Sequence, residues 1–185
     1  MNLFIIISVS IISILIITGI IYFNLFIRYR NKIKNSESDI DVQLKRRFDL
    51  LPNLVEIVKA YASHEKELFE KIATQRSLFT SANTTKEKAL SGNIMTGLLK
   101  NLFVAVENYP DLLANKSFIN LQESLIEIED TIQMSRRYYN AVVRDYNTSV
   151  ESFPGILFAR ISGFRSADFF EIEFLEKETI QVKLS

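Results

Sequence analysis

The sequence predicts an all-α protein: an N-terminal transmembrane helix continuing into an antiparallel bundle of long helices, with a small β-hairpin suggested at the C-terminal end. Three observations lead there. Residues 3–27 form a 25-residue run without one charged side chain, and a bilayer core takes about 20 helical residues. Beyond it, apolar residues recur at spacings of three and four for most of the chain, the signature of amphipathic helices. Only after Phe170 does the period change towards two. The organisation expected is a transmembrane signal-anchor at 1–27, a helical bundle at 28–155 and a tail at 156–185 packing on that bundle.

The apolar run is rich in Ile, Leu and Phe. A cleaved signal peptide would need a basic start, a shorter apolar region and a small-x-small cleavage site. None is present, and Met1 and Asn2 carry no side-chain charge, so a permanent anchor is expected. Arg28, Arg30, Lys32 and Lys34 follow at once, with no basic side chain before the span. The positive-inside bias then sets the orientation: a single pass through the cell (cytoplasmic) membrane, a short N-terminus outside and the C-terminal part in the cytoplasm.

After the span, Ile40, Leu44, Phe48, Leu51, Val55, Val58 and Ala62, then Phe69, Ile72 and Phe79, make an apolar row. Leu50, Leu54, Ile57, Tyr61 and Leu68 widen it into a broad face suited to a bundle. Pro52 falls inside and removes a hydrogen bond. Because the apolar phase passes through it unchanged, one long kinked helix to about residue 80 is expected, with two antiparallel helices meeting at Pro52 as the alternative. Ser81-Ala-Asn-Thr-Thr85 reads as a connection. A second helix follows, with rows Leu90, Ile94, Leu98, Leu102, Ala105 and Met95, Leu99, Val106. Beyond the turn at Pro110 to Lys116, Ser117 can cap a third long helix. Its core row is Leu121, Leu125, Ile128, Ile132, Tyr139, Val142 and Tyr146, and its end falls near Phe153-Pro154-Gly155. Residues 156–164 fit a short helical segment. Phe170, Ile172 and Phe174 alternate with Glu171 and Glu173, and Ile180, Val182 and Leu184 alternate likewise, which suggests the hairpin.

Composition narrows the chemistry. With 22 basic against 22 acidic side chains, there is no strongly basic face of the kind nucleic-acid binders use. The absence of Cys excludes disulfides and thiolate metal sites, and a single His excludes zinc sites needing two imidazoles. His64-Glu65-Lys66-Glu67-Leu68 begins like HExxH, but Leu68 stands at the second ligand position. Gly92-Asn-Ile-Met-Thr-Gly97 has phosphate-loop glycine spacing, but Leu98-Leu99 replaces the lysine and hydroxyl, and the segment lies in a helix. Glu123, Glu127, Glu129 and Asp130 lack the Glu-x-x-His partners of a di-iron site and read as a solvated acidic face. Arg136, Arg137 and Arg144 among Tyr138, Tyr139 and Tyr146 read as snorkelling cations beside core tyrosines rather than an RNA platform. Six phenylalanines between Phe153 and Phe174, with Arg160 and Arg165, suit either a membrane surface or the closure of one bundle end.

Several segments together resemble the LemA family. They are Ile40-Asp-Val-Gln-Leu-Lys-Arg-Arg-Phe-Asp-Leu-Leu-Pro-Asn-Leu-Val55 with Ala62-Ser-His-Glu65; Asn108-Tyr-Pro-Asp-Leu112; Asn115 to Leu121-Gln-Glu123; Arg136-Arg-Tyr-Tyr-Asn140 with Tyr146-Asn-Thr148; and Ser152-Phe-Pro154 through Gly163-Phe164. The resemblance covers about residues 28–175. It implies a bacterial-type single-pass membrane protein with a helical bundle and no established molecular activity, so no catalytic residue or cofactor is carried over. Phe48, Tyr138 and the Glu-rich end after Phe170 depart mildly from the family's pattern. The expected function is a non-enzymatic scaffold or interaction module at the cytoplasmic membrane face. The bilayer and a protein partner or second copy are its expected contacts, with no nucleic acid and no small-molecule substrate. The alternatives are a lipid-responsive surface protein and, behind it, a carboxylate-based metal enzyme. Arg46, Arg47, Arg136 and Arg137 are the candidate interaction face, and could equally hold helix crossings.

Overall fold

A computed structural model describes residues 2–82 and 84–170. Six helices follow in order: α1 (Asn2–Lys59), α2 (Lys66–Ser81), α3 (Thr85–Val106), α4 (Pro110–Leu113), α5 (Lys116–Glu151) and α6 (Gly155–Ser162). No strand occurs among the described residues. The expected terminal hairpin lies on residues 171–185, outside them.

The expected long helix ends earlier than its apolar phase implied. α1 passes through Pro52 without interruption. Pro52 is exposed, so its ring faces solvent rather than the core. The break falls instead at Ala60–Glu65, where Ala60 and Tyr61 donate to Ile57 and Val58, three residues back. Neither the helix to residue 80 nor the hinge at Pro52 is what forms. α2 instead folds back along α1, so that Phe79 near its end stacks on Phe48 at 4.0 Å between ring centroids. Val58, Ala62, Phe69 and Ile72 keep one phase across the turn because both arms bury their apolar rows in the same core.

The chain forms two compact units. The first comprises residues up to Val42 with Thr131–Phe169, and so holds the start of α1, the second part of α5, and α6. There α1 and α5 run antiparallel: Tyr29 meets Tyr146, while Asp39 lies near Ser135 and Tyr138. The second unit, Gln43–Asp130, holds the rest of α1 and α5 with α2, α3 and α4. Its core joins Phe48, Leu51, Leu54 and Val58 of α1 to Phe69 and Ile72 of α2, Met95, Leu99, Leu102 and Val106 of α3, Leu112 of α4, and Phe118 and Leu125 of α5. Of the two rows expected on α3, the one through Met95 and Leu99 is buried, whereas Leu90 and Ile94 are exposed.

Helix ends are set by local side chains. Thr84 and Glu87 form a reciprocal capping box at the start of α3, satisfying two amides that otherwise lack partners. The cap of α5 is Asn115, not Ser117: its Oδ1 accepts from the amides of Ser117 and Phe118. The same side chain donates to the Tyr61 hydroxyl at 3.1 Å, fastening the α1–α2 turn to the start of α5. α6 ends at Gly163, whose φ of 75° suits a residue without Cβ.

Candidate functional site

Two polar assemblies stand out, one in each unit. The first is built around Arg47. On α1 this residue falls between Leu44 and Leu51, and the helix period turns it into the core with them, leaving it fully buried. An interior guanidinium must satisfy its donors or forfeit several kcal/mol of hydration; three groups engage its two terminal nitrogens, while Nε is buried without a hydrogen-bond partner. Nη2 donates to the Gly92 carbonyl at 2.7 Å. Nη1 donates to Thr96 Oγ1 at 2.9 Å and to the Glu129 carboxylate. The Thr96 hydroxyl lies 3.1 Å from the Gly92 carbonyl and 3.2 Å from Glu129 Oε1, sharing its single proton between them. Arg47 therefore ties α1 to α3 and α5. Burial lowers the pKa of its guanidinium and the Glu129 carboxylate opposes that shift.

The second assembly holds the segment after α6 against α5. Asn147 pairs both ways with Ala167, its amide donating to the carbonyl at 2.9 Å and its oxygen accepting from the N–H at 2.8 Å. Tyr146 donates to the Arg165 carbonyl at 2.8 Å and Tyr139 to that of Asp168 at 3.2 Å. Burial raises the pKa of both phenols; Glu37 and Asp168 push Tyr139 further up, while Arg30 pulls Tyr146 back. Beside this clasp is an aromatic cluster of Tyr22, Phe26 and Tyr29 of α1 with Tyr146, Phe158 and Phe164. Tyr22 stacks on Phe158 at 5.7 Å.

The residues expected to act divide by exposure. Arg28, Arg30, Lys32 and Lys34 are all exposed on α1, with Arg30 over the Phe164 ring and Lys32 over that of Tyr29. Arg46 and Arg137 are exposed, but Arg47 and Arg136 are buried. Adjacent helical residues point about 100° apart, so each Arg-Arg pair splits between interior and surface. Glu129 is likewise not part of a solvated acidic face, since it answers Arg47, whereas Glu123, Glu127 and Asp130 are exposed. The Gly92–Gly97 segment is helical and supplies a carbonyl to Arg47 rather than amides to a phosphate. His64 is exposed in the α1–α2 turn.

What the arrangement can do chemically is limited. Among the described residues no three His, Asp or Glu side chains lie together to hold a metal ion. A hollow of about 220 Å³ lies beside Ser36, Asp39, Met134, Ser135 and Tyr138, below the size of typical small-molecule sites. The one signal that could have found Arg47 and Glu129 is their position in apolar rows: Leu44, Arg47, Phe48, Leu51 and Leu125, Glu129, Ile132 each follow the helical period.

These features define a mostly helical protein whose N-terminal helix is long and apolar enough to cross a membrane, and whose buried polar groups join helix to helix. The chain belongs to the LemA family, whose model matches residues 36–184. It is 25% identical to Magnetosome protein MamQ 2 of Paramagnetospirillum magneticum over 192 residues, covering 90% of this chain and 71% of the relative. Magnetosome protein MamQ of Magnetospirillum gryphiswaldense is 24% identical, with coverage of 88% and 70%. Protein LemA of Metamycoplasma hominis is 28% identical over 142 residues, covering 73% of this chain and 65% of the relative.

Proposed function

We propose that this protein is a non-enzymatic scaffold or interaction module, anchored by α1 in the cytoplasmic membrane with its helical units on the cytoplasmic side. One observation carries the anchor: from Leu3 to Phe23, α1 holds its large apolar side chains outward, at 47–78% exposure for those most exposed. So long an apolar surface needs lipid to cover it. The basic residues Arg28, Arg30, Lys32 and Lys34 support the orientation. A role without catalysis is supported by where the polar groups go, because Arg47, Thr96, Glu129, Tyr146 and Asn147 hold helices and segments together. The relatives' printed names state no reaction.

A partner face has to use exposed residues, which leaves Arg46 and Arg137 of the original four. The test is crosslinking in cells followed by detergent extraction and mass spectrometry, comparing the native chain with Arg46→Glu and Arg137→Glu. Loss of a heterologous crosslink with helical content intact supports the scaffold and locates its face. Self-crosslinks alone, unchanged in both variants, refute that face and favour self-assembly.

A further inference from the structure

We infer that α6 and the turn before it form a second membrane contact: an apolar edge that inserts into the same leaflet through which α1 leaves the bilayer. This rests on the reading that α1 spans the membrane, and it assigns a lipid surface to a part of the chain far from that anchor in sequence.

Depth comes first. α6 is seated on the uncharged part of α1. The Phe158 ring approaches so closely that a Cβ on Gly19 would lie 3.1 Å from it, and it stacks on Tyr22. Phe164 meets Phe23 edge-on at 5.7 Å and Phe26 at 5.1 Å. Gly19 precedes Ile27, the last residue of the uncharged run, by about 12 Å at about 1.5 Å per residue. Interfacial helices bury their apolar faces about 5–10 Å into the headgroup and acyl boundary. If α1 spans, Phe158 is therefore at or below that boundary, and α6 with it.

The outward side of α6 fits this placement. Gly155 and Ala159 are buried and Phe158 is half-buried against α1. Phe153, Leu157 and Ile161, four residues apart along the other side, are 80%, 51% and 84% exposed. Within residues 152–164 the only charge is Arg160. Three large apolar side chains along one side of so short a segment make a contiguous apolar patch, which acyl chains cover at the depth that Gly19 and Tyr22 define. Arg160 and Arg165 are exposed and have the reach to snorkel to lipid phosphates, alongside Arg28 and Arg30.

The backbone suits a leaflet as well. The Gly163 and Phe164 amides donate back to the Ala159 carbonyl, closing the end of α6. The chain then leaves along α5, held by Tyr146 and Asn147. Polar backbone groups in a low-dielectric layer need such partners.

The chain contains no Trp, so a single introduced indole reports its own surroundings. Full-length Leu157→Trp and Ile161→Trp would be reconstituted in phosphatidylglycerol/phosphatidylcholine vesicles, with Ile14→Trp in α1 and Leu78→Trp, exposed on α2, as references. Emission would be read against iodide and against acyl-brominated lipid. The expected result is that the Leu157, Ile161 and Ile14 variants emit to the blue and lose intensity to brominated lipid but not to iodide, while the Leu78 variant does the reverse. Quenching of the Ile14 variant by brominated lipid, with the Leu157 and Ile161 variants quenched by iodide or by neither agent, overturns the α6 contact and leaves the anchor standing. An Ile14 variant untouched by brominated lipid overturns the anchor and the α6 contact together.

Discussion

Replacing Glu129 by Ala should destabilise the protein more than replacing Arg47 by Met, although each substitution deletes the same ion pair. The asymmetry comes from burial. The Arg47 side chain has no exposed surface, whereas that of Glu129 retains 23%. Glu129→Ala strands an interior guanidinium with only the Gly92 carbonyl and the Thr96 hydroxyl, and breaking a buried pair in this way costs about 3–5 kcal/mol. Arg47→Met leaves a carboxylate that can take up water and forfeits only the hydrogen bonds, about 1–3 kcal/mol in all. The Gly92 carbonyl loses nothing essential, because Thr96 also lies within hydrogen-bond distance of it. At about 2–4 °C per kcal/mol for a chain of this size, the melting temperature should fall by about 6–20 °C for Glu129→Ala and about 2–12 °C for Arg47→Met. Thermal melts of the full chain in detergent, followed by circular dichroism, measure both. The double variant Arg47→Met/Glu129→Leu should recover most of the Glu129→Ala loss, since well-packed apolar side chains often replace buried ion pairs without penalty. Added salt should change these differences little, because the pair is shielded from solvent ions. An Arg47→Met loss equal to or larger than that of Glu129→Ala, or a double variant no more stable than either single one, would refute the reasoning.

Other perturbations test the remaining contacts. A Cβ on Gly155 would lie 2.0 Å from the Ser149 carbonyl oxygen and 3.1 Å from the Tyr22 ring, so Gly155→Ala should cost about 1–3 kcal/mol or more; Gly97→Ala, with nothing within 4 Å of its new Cβ, should add about 0.5–1 kcal/mol to stability, both read from melting curves. Tyr139 and Tyr146 have folded-state pKa values raised above the ordinary phenol value, so the stability they contribute is fully present below about pH 10 and is lost as pH rises through the folded pKa. Melting temperature against pH, compared with Tyr139→Phe and Tyr146→Phe, checks this, and a native chain as resistant to alkali as the double Phe variant would contradict it. Asn147→Ala should unfasten the two-way bond to Ala167 and speed hydrogen exchange of the Ala167 amide, with unchanged exchange as the adverse result. Reversing the charges at Arg28, Arg30, Lys32 and Lys34 should give inverted or mixed topology by protease protection if they fix orientation; unchanged insertion with altered function would point to lipid recognition.

The apolar rows were legible because period alone defines them: Ile40, Leu44, Phe48, Leu51 and Val58 are buried as the spacing required. The break after Lys59 was not, because Ala62 and Phe69 are seven residues apart, about two helical turns. A chain that turns back on the same core leaves the phase unmarked. At Pro52 the apolar phase was the better guide, since it runs through the proline unchanged and α1 continues there with the ring exposed. For Arg47 and Arg136 residue type leaves an interaction face and a helix crossing equally open, but both sit in apolar rows, Arg136 between Ile132 and Tyr139. Position in the row outweighed type. The pairing of Arg47 across helices could not have been read, because nothing local in α1 specifies that Glu129, 82 residues away, will be the acceptor.

The segments that carry the family resemblance supply most of these joints. Arg47 of the Arg-Arg pair, Asn115 before the third long helix, Tyr146-Asn147, and Gly163-Phe164 each close a helix end or tie one element to another. Side chains committed to such contacts are poorly placed to bind a partner, since leaving them would cost the protein its own packing. On the scaffold role proposed above, specificity for a partner resides in exposed residues such as Arg46 and Arg137. Two proteins can therefore share every motif of this fold and differ in what they bind, and variants at the exposed positions, rather than at the motifs, are the ones whose loss of a partner reports on function instead of folding.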